Sequence, residues 1–355
     1  RQPIVTSWSK VYSGTGKLTD IQQTADGGYI LLGDTEYCPC LVKIDANGNP
    51  VWKKVITNFP SLYIGANAVK ELSHGDFLVA GTINVDAIIR NEAWLTRTDA
   101  AGNILWEKRF GDNWGTSWDY ITAFTETYDG QFVLAGYTKL LQVSGNPPTW
   151  DQAYLVKTDG SGNILWQRRF PGSGQDTETY DVRETFDHGY ILAGASFAGS
   201  DNGYLLRTDE HGNKLWEVFF DGGAADQANA VVQADDEEYV FAGGKTLEAF
   251  MAKTTASGEI RWEKQLTTNA LSEVFDLQRT MDGGFILVGY TRPRTKMEDN
   301  DGNDCLIVKA NTNGDTTWAK TFGGTSRDVA KAVRQTMDGG YVVGAYTSSF
   351  GAYGF

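Results

Sequence analysis

The chain has 355 residues, a formal net charge of −14, 41% hydrophobic residues, 41 glycines and only eight prolines. The acidic balance argues against a nucleic-acid backbone as partner, since phosphate binding needs clustered Lys and Arg. No run approaches 18 apolar residues, so there is no candidate membrane-spanning helix, and glycine in this amount without proline points to many tight turns.

In chain order, the first readable element is Ser7-Trp8-Ser9-Lys10-Val11-Tyr12, a strand carrying a tryptophan with no repeat in front of it. Tryptophan then recurs in one frame at Trp52, Trp106, Trp166, Trp216, Trp262 and Trp318, at intervals of 44 to 60 residues. Each of these six follows a turn such as Asp45-Ala46-Asn47-Gly48-Asn49. A second marker runs in phase. Asp26-Gly27-Gly28-Tyr29 returns as His74-Gly75-Asp76-Phe77, Asp129-Gly130-Gln131-Phe132, Asp187-His188-Gly189-Tyr190, Asp236-Glu237-Glu238-Tyr239, Asp282-Gly283-Gly284-Phe285 and Asp338-Gly339-Gly340-Tyr341. Self-similarity at this period is the mark of a solenoid or propeller.

Each repeat reads as four short strands, A to D, joined by local turns whose Asp-Gly and Asn-Gly pairs supply positive φ. The expectation is an all-β, seven-bladed β-propeller of four-stranded antiparallel blades forming one domain over 1–355. Residues 1–14 would close the last blade, and the blades would span approximately 15–58, 59–112, 113–172, 173–222, 223–268, 269–324 and 325–355. Pairing the first strand into the last blade would remove two exposed sheet edges. The repeating tryptophans then dock each strand D on the next sheet, and Trp94 falls at a strand C position. The chain stops at Phe350-Gly351-Ala352-Tyr353-Gly354-Phe355, where a strand C belongs. Two readings follow: these residues serve as a minimal strand C, or the natural polypeptide continues. The start at Arg1 fits a processed or trimmed chain.

The segment Gln335-Thr336-Met337-Asp338-Gly339-Gly340-Tyr341 carries a recognisable repeat, as does Leu155-Val156-Lys157-Thr158-Asp159 with the following Gly162-Asn163-Ile164-Leu165-Trp166. This repeat resembles that of secreted and cell-surface bacterial and archaeal β-propeller proteins, including many exported by Bacteroidota. The resemblance implies an extracellular or cell-surface location and attachment to larger multi-domain proteins; it implies no fixed activity. The Asp-x-x-Gly-x-x-x-Trp frame is also similar to the tryptophan-docking repeat of quinoprotein dehydrogenases and to the Asp-box of sialidases, but its spacing departs from both, and neither catalytic set carries over.

In a four-stranded blade the D–A and B–C connections share one face, and here they are the long and variable ones. That face carries the ligand-binding candidates Tyr63, Arg90, Trp114, Trp118, Asp119, Trp150 and Asp151. Aromatic rings beside carboxylates suit stacking on sugar rings, so a glycan or a surface protein is the expected partner, with no nucleic acid and no membrane insertion. The bland alternative is that the same loops bury their aromatics over the rim. His74, His188 and His211 fall in regular turns, which leaves no histidine for acid–base chemistry on the variable face. Asp119, Asp151, Glu178 and Asp181 are the carboxylates a polysaccharide-active enzyme would need. A structural subunit of a surface assembly is the third alternative. No cofactor is expected; Asp299, Asp301 and Asp304 form a calcium-like string, but Met297 stands where an EF-type loop begins. Cys38, Cys40 and Cys305 predict free thiols, or a strained Cys38–Cys40 bridge. An in-phase set of Gln23, Glu71, Glu126, Glu184, Gln233, Arg279 and Gln335 precedes the turns, and hydrogen bonds to the neighbouring blade are expected of it.

Overall fold

The computed structural model describes residues 7–12, 16–35, 38–59, 62–85, 91–111, 117–140, 151–171, 176–197, 201–220, 226–267, 270–293 and 302–350. The chain divides into two compact units: Arg1–Val79 with Thr96–Glu107 and Asn269–Phe355, and Ala80–Leu95 with Lys108–Thr268.

In the first unit, β1 (Lys17–Gln23), β2 (Tyr29–Thr35), β3 (Cys38–Ile44) and β4 (Pro50–Val55) form blade 1. Blade 6 consists of β21 (Ala270–Arg279), β22 (Phe285–Pro293), β23 (Asp304–Ala310) and β24 (Thr316–Phe322). A two-stranded sheet follows, β25 (Asp328–Gln335) with β26 (Tyr341–Thr347). The second unit holds blade 3, made of β9 (Ser117–Glu126), β10 (Phe132–Leu140), β11 (Asp151–Thr158) and β12 (Ile164–Phe170). It also holds blade 4, with β13 (Asp176–Glu184), β14 (Tyr190–Phe197), β15 (Asp201–Thr208) and β16 (Lys214–Phe220). Its blade 5 is β17 (Gln227–Gln233), β18 (Tyr239–Lys245), β19 (Glu248–Thr254) and β20 (Ile260–Gln265). Blade 2, with β5 (Ile64–Glu71), β6 (Phe77–Asn84), β7 (Asn91–Thr98) and β8 (Ile104–Phe110), has residues in both units.

The turn chemistry explains the repetition. In blade 1 the Asp26 carboxylate accepts hydrogen bonds from Thr24 Oγ1 at 2.6 Å and from the Gly28 amide at 3.0 Å, while Gly27 takes a φ of 81°. The ammonium of Lys43, reaching from strand C, binds the same carboxylate at 2.9 Å. The pair recurs as Arg97–Asp76, Lys157–Asp129, Arg207–Asp187, Lys253–Asp236 and Lys309–Asp282. Strand C is thereby tied to the A–B turn in all six complete blades.

The tryptophans dock as their spacing predicts. Trp52 sets its edge on Phe77, with ring centroids 6.0 Å apart, and its ring lies where a Cβ on Gly102 would fall 2.9 Å away. Trp166 meets Tyr190, Trp216 meets Tyr239 and Trp318 meets Tyr341 in the same manner. Trp94 is fully buried in β7. The in-phase polar set is also explained in part. Glu71 accepts from the Ala25 amide, Glu184 from Tyr128, Gln233 from Phe186, Gln335 from Met281 and Gln23 from Met337. Each of these residues closes the neighbouring blade's first turn amide.

The inner strands add a second stitch at their β-bulges. Buried Asp20 accepts from its own Ile21 amide and from Val69 of the next blade; Asp181 does so with Val182 and Val231, and Asp276 with Leu277 and Val333. Arg334 of β25 donates to both Asp276 and Asp20, so the two-stranded sheet is fastened to blade 6 on one side and blade 1 on the other.

One expectation is corrected. Six four-stranded blades form among the described residues, not seven, and the seventh repeat is the two-stranded sheet β25–β26. Residues 7–12 are not a strand and do not pair with it. They nevertheless dock where a strand D would: Trp8 packs edge-on against Tyr29, its indole N–H donates to the Ala46 carbonyl at 3.1 Å, and Lys10 reaches Asn49. The reason is geometric. A segment seated at the strand D position lies two strand spacings, about 10 Å, from β26, and hydrogen bonding requires a strand between them. Of residues 350–355, the expected minimal strand C, all but Phe350 lie outside the described residues. All three cysteines are free, and the strained bridge is not formed.

Candidate binding site on the second unit

The strand ends that open on the D–A and B–C connections of blade 3 and its neighbour carry a cluster of rings and carboxyl groups. Strand alternation decides which residues reach it. Along β9, Ser117, Asp119 and Ile121 are buried, while Trp118, Tyr120 and Thr122 lie half-exposed on the opposite face. Tyr120 stacks on its cross-strand partner Tyr137, with centroids 4.5 Å apart and planes at 17°, and Asn91 Nδ2 donates to the Tyr120 hydroxyl at 2.6 Å.

Three carboxyl groups sit beside this pair. Asp151, at the head of β11, has its Oδ1 3.3 Å from the Lys139 ammonium, and its backbone amide donates to Asp176 at the head of β13. Glu178, two residues further on, accepts from the Tyr180 hydroxyl at 3.1 Å. Burial raises the Glu178 carboxyl above its ordinary range; the Tyr180 hydrogen bond opposes the rise, and the negative charges of Asp151 and Asp176 add to it. Asp151 is raised as well, again chiefly by burial, with Lys139 opposing. Burial and the nearby Glu178 also push the Tyr137 and Tyr180 phenols upward, so both remain neutral donors. The cluster therefore offers a flat aromatic face, uncharged O–H donors, an amide and one ammonium.

The sequence-based candidates separate in the folded chain. Trp118 lies half-buried on the cluster's side of β9, and Asp151 belongs to the cluster. Asp119 does not: it is 1% exposed and accepts from Ser117 and Thr138, fixing the start of the A–B pairing. Asp181 is spent on the bulge stitch to Val231. Tyr63, in the first unit, is exposed, with a phenol raised by burial and by Asp34. Arg90, Trp114 and Trp150 lie outside the described residues, as do Asp299 and Asp301. Asp304 opens β23, its carboxylate lying against Gly323. Among the described residues no group of three His, Cys, Asp or Glu side chains is placed to hold a metal ion. Tyr120, Tyr137, Asp176 and Tyr180 went unread in the sequence. The alternation after Trp118 was the signal available for Tyr120; the FVLAGY run ending at Tyr137 alternates too little to show a face.

Solved structures resemble the chain over nearly its whole length. The Pan2 WD40 domain of Neurospora crassa matches with a TM-score of 0.60 at 11% identity, covering 94% of this chain and 87% of that one. Virginiamycin B lyase from Staphylococcus aureus matches at 0.56 and 13% identity, over 94% and 96%. A protein of unknown function from Dyadobacter fermentans matches at 0.53 and 14% identity, over 82% and 93%. The fold is an all-β propeller of four-stranded antiparallel blades. At such identities the likeness extends to the fold alone. No protein-family model matches the chain, and no curated protein sequence does.

Proposed function

We propose that this is a non-enzymatic recognition propeller acting outside the cell or at its surface, and that the cluster on the second unit binds a glycan. The observation that carries the reading is the stacked Tyr120–Tyr137 pair bordered by two carboxyl groups that burial raises, Glu178 and Asp151. A sugar ring presents an apolar C–H face suited to stacking and hydroxyls that take hydrogen bonds from neutral donors. Extracellular placement is supported by the repeat's resemblance to secreted propellers. A surface protein is the alternative partner, and further domains of the same polypeptide fit a scaffold role.

The test is a glycan array followed by calorimetry on the hits. Tyr120→Ala is expected to weaken binding by roughly tenfold or more, from the loss of about 1–3 kcal/mol of aromatic contact. Burial raises the Glu178 carboxyl, so the share of it able to donate to a hydroxyl falls as pH rises and binding is expected to weaken, whereas Glu178→Gln is expected to lose that pH dependence. A blank array, or hits indifferent to Tyr120, would overturn the reading. One observation favours a second reading: a carboxyl group raised by burial beside another carboxyl is the arrangement of a glycosidase acid. Under that reading Glu178→Gln abolishes turnover of a polysaccharide that the parent protein degrades.

A further inference from the structure

A β-bulge leaves one residue of an inner strand out of the ladder and re-aims its side chain. The residues so placed are Thr19 in β1, Thr122 in β9, Tyr180 in β13, Asn229 in β17, Phe275 in β21 and Lys331 in β25. Of these, only Lys331 is a cation. Its half-buried side chain crosses to the neighbouring bulge of the first unit, with the ammonium 3.5 Å from the centre of the Phe275 ring. Phe275 in turn lies 5.8 Å from Tyr290. Among the described residues no hydrogen bond or ion pair engages this ammonium, although it carries three donors. Arg327, four residues earlier, sets its guanidinium 5.5 Å from the centre of the Tyr346 ring, and its carbonyl accepts from the Ser348 amide at 2.8 Å. Lys17 of β1 adds a third positive charge, and Glu273 of β21 is the carboxylate that acts against them. Tyr290 of β22 and Tyr346 of β26 complete the group; burial raises both phenols, so they stay neutral, and Arg292 acts on Tyr290 from the same strand. Burial draws the Lys331 ammonium down to about 8; Glu273 opposes that fall, while Arg327 and Lys17 add to it.

We propose that the Lys331 bulge is a binding site for the carboxylate of an organic ligand, with Lys331 and Arg327 as its cations and the rings of Phe275, Tyr290 and Tyr346 beside them. A carboxylate seated there supplies the acceptors that the fold does not give Lys331 and turns a half-buried, unpaired charge into a paired one. Its two oxygens suit two separate positive groups. The rings offer the rest of the ligand an apolar contact, which a bare inorganic anion cannot use. An organic acid and the carboxylate of an acidic sugar share this chemistry. None of it rests on the glycan reading of the second unit. The ligand stabilises the protonated lysine, so its binding raises the Lys331 pKa, takes up a proton at alkaline pH and weakens as pH rises through that raised value.

The test uses the whole protein with glucuronate and benzoate as the acids, glucuronamide and benzamide as their uncharged counterparts, and sulfate as an inorganic anion. Trace acetylation with acetic anhydride, read by mass spectrometry, is expected to show Lys331 titrating near pH 8. At least one of the acids is expected to slow that labelling, and neither amide is. Protection by glucuronate alone assigns an acidic sugar, protection by benzoate alone an aromatic acid, and protection by both a site that reads the carboxylate and tolerates either body. In calorimetry Lys331→Met is expected to weaken binding of the protecting acid roughly tenfold or more. Arg327→Gln, at an exposed position that the fold does not need, is expected to weaken it severalfold and serves where Lys331→Met fails to fold. Protection by neither acid overturns the proposal. So does equal protection by sulfate or by an amide, and so does an affinity that Arg327→Gln and a folded Lys331→Met leave unchanged.

Discussion

Blade 6 and the sheet β25–β26 carry the same inner half and differ in the outer one. Both use an Asp-Gly-Gly turn, and in both a turn amide donates to a neighbouring sheet's glutamine, Met281 to Gln335 in one case and Met337 to Gln23 in the other. Blade 6 adds β23 and β24, and with them the buried Lys309 and the docked Trp318. Among the described residues the last sheet shows no such outer strands, and Arg334, held between Asp276 and Asp20, fastens it from its inner strand. Strands A and B therefore carry the lateral attachment of a repeat. Strands C and D supply its outer packing and neutralise its turn.

The largest break in this comparison comes from the docking tryptophans. Trp52→Ala removes a ring anchored on a paired strand and leaves a gap over Gly102 and Phe77. A loss of about 3–5 kcal/mol in urea unfolding is expected. Trp8 makes the equivalent contacts from a segment with no ladder. Its removal is expected to cost about 2 kcal/mol, because Ser7–Tyr12 then detaches and regains conformational freedom. Equal losses would show that the unpaired segment is held as firmly as a strand, and the distinction between the two halves would fail.

The turn cation gives a smaller and pH-dependent contrast. Lys309→Met deletes a buried ammonium whose partner Asp282 is largely exposed, and a cost of about 1–2 kcal/mol is expected. Asp338→Asn, at a turn that no cation reaches among the described residues, should cost about 0.5 kcal/mol. Asp282 is lowered to about 2 by the Thr280 hydroxyl first and Lys309 second. In Asp26, burial raises the carboxyl, but Thr24 and Lys43 outweigh it and bring the value to about 2. The folded pKa lies below the unfolded value of about 3.9, so this stability is complete above about pH 5 and is lost as pH falls through 2. The penalty of Lys309→Met should therefore shrink on acidification. A penalty constant from pH 7 to pH 2 would mean that the lysine acts through its methylene packing instead of its charge.

How much of this was legible in the sequence follows from the range of each interaction. Turns were readable because Asp26, Gly27 and Gly28 act within three residues, and the tryptophan frame was readable because each copy repeats the same local turn. The candidate site depends on residues that meet only after folding: Asp151 and Asp176 lie in different blades, and nothing local marks their approach. Asp119 was misjudged for a different reason. Trp114 and Trp118 mark the segment as a variable loop, yet simple alternation places Asp119 on the buried side with Ser117 and Ile121. The unpaired state of Ser7–Tyr12 was not legible, because a segment seated at the strand D position lies two strand spacings from β26, and that is a question of distance.

The smallest expected effect concerns turns that depart from the common pattern. Gly27, Gly75, Gly130, Gly283 and Gly339 occupy the left-handed position of the A–B turn, while blades 4 and 5 place His188 at φ 64° and Glu237 at φ 63° there. A side chain with a Cβ is strained in that region by about 1 kcal/mol, and glycine relieves it at the cost of a more flexible unfolded chain. His188 has compensation, since its ring stacks on Tyr128 at 3.7 Å and lies 3.3 Å from Glu184. Among the described residues no ion pair or hydrogen bond of its side chain offsets the strain at Glu237; its carbonyl accepts from Gln233. Glu237→Gly is expected to stabilise by about 0.5 kcal/mol, whereas His188→Gly is expected to be neutral or destabilising, because the ring contact is lost along with the strain. Thermal unfolding of the two variants reads the difference directly. A gain from both would show that the Tyr128–His188 contact contributes nothing, and that a blade tolerates a non-glycine turn simply by bearing its strain.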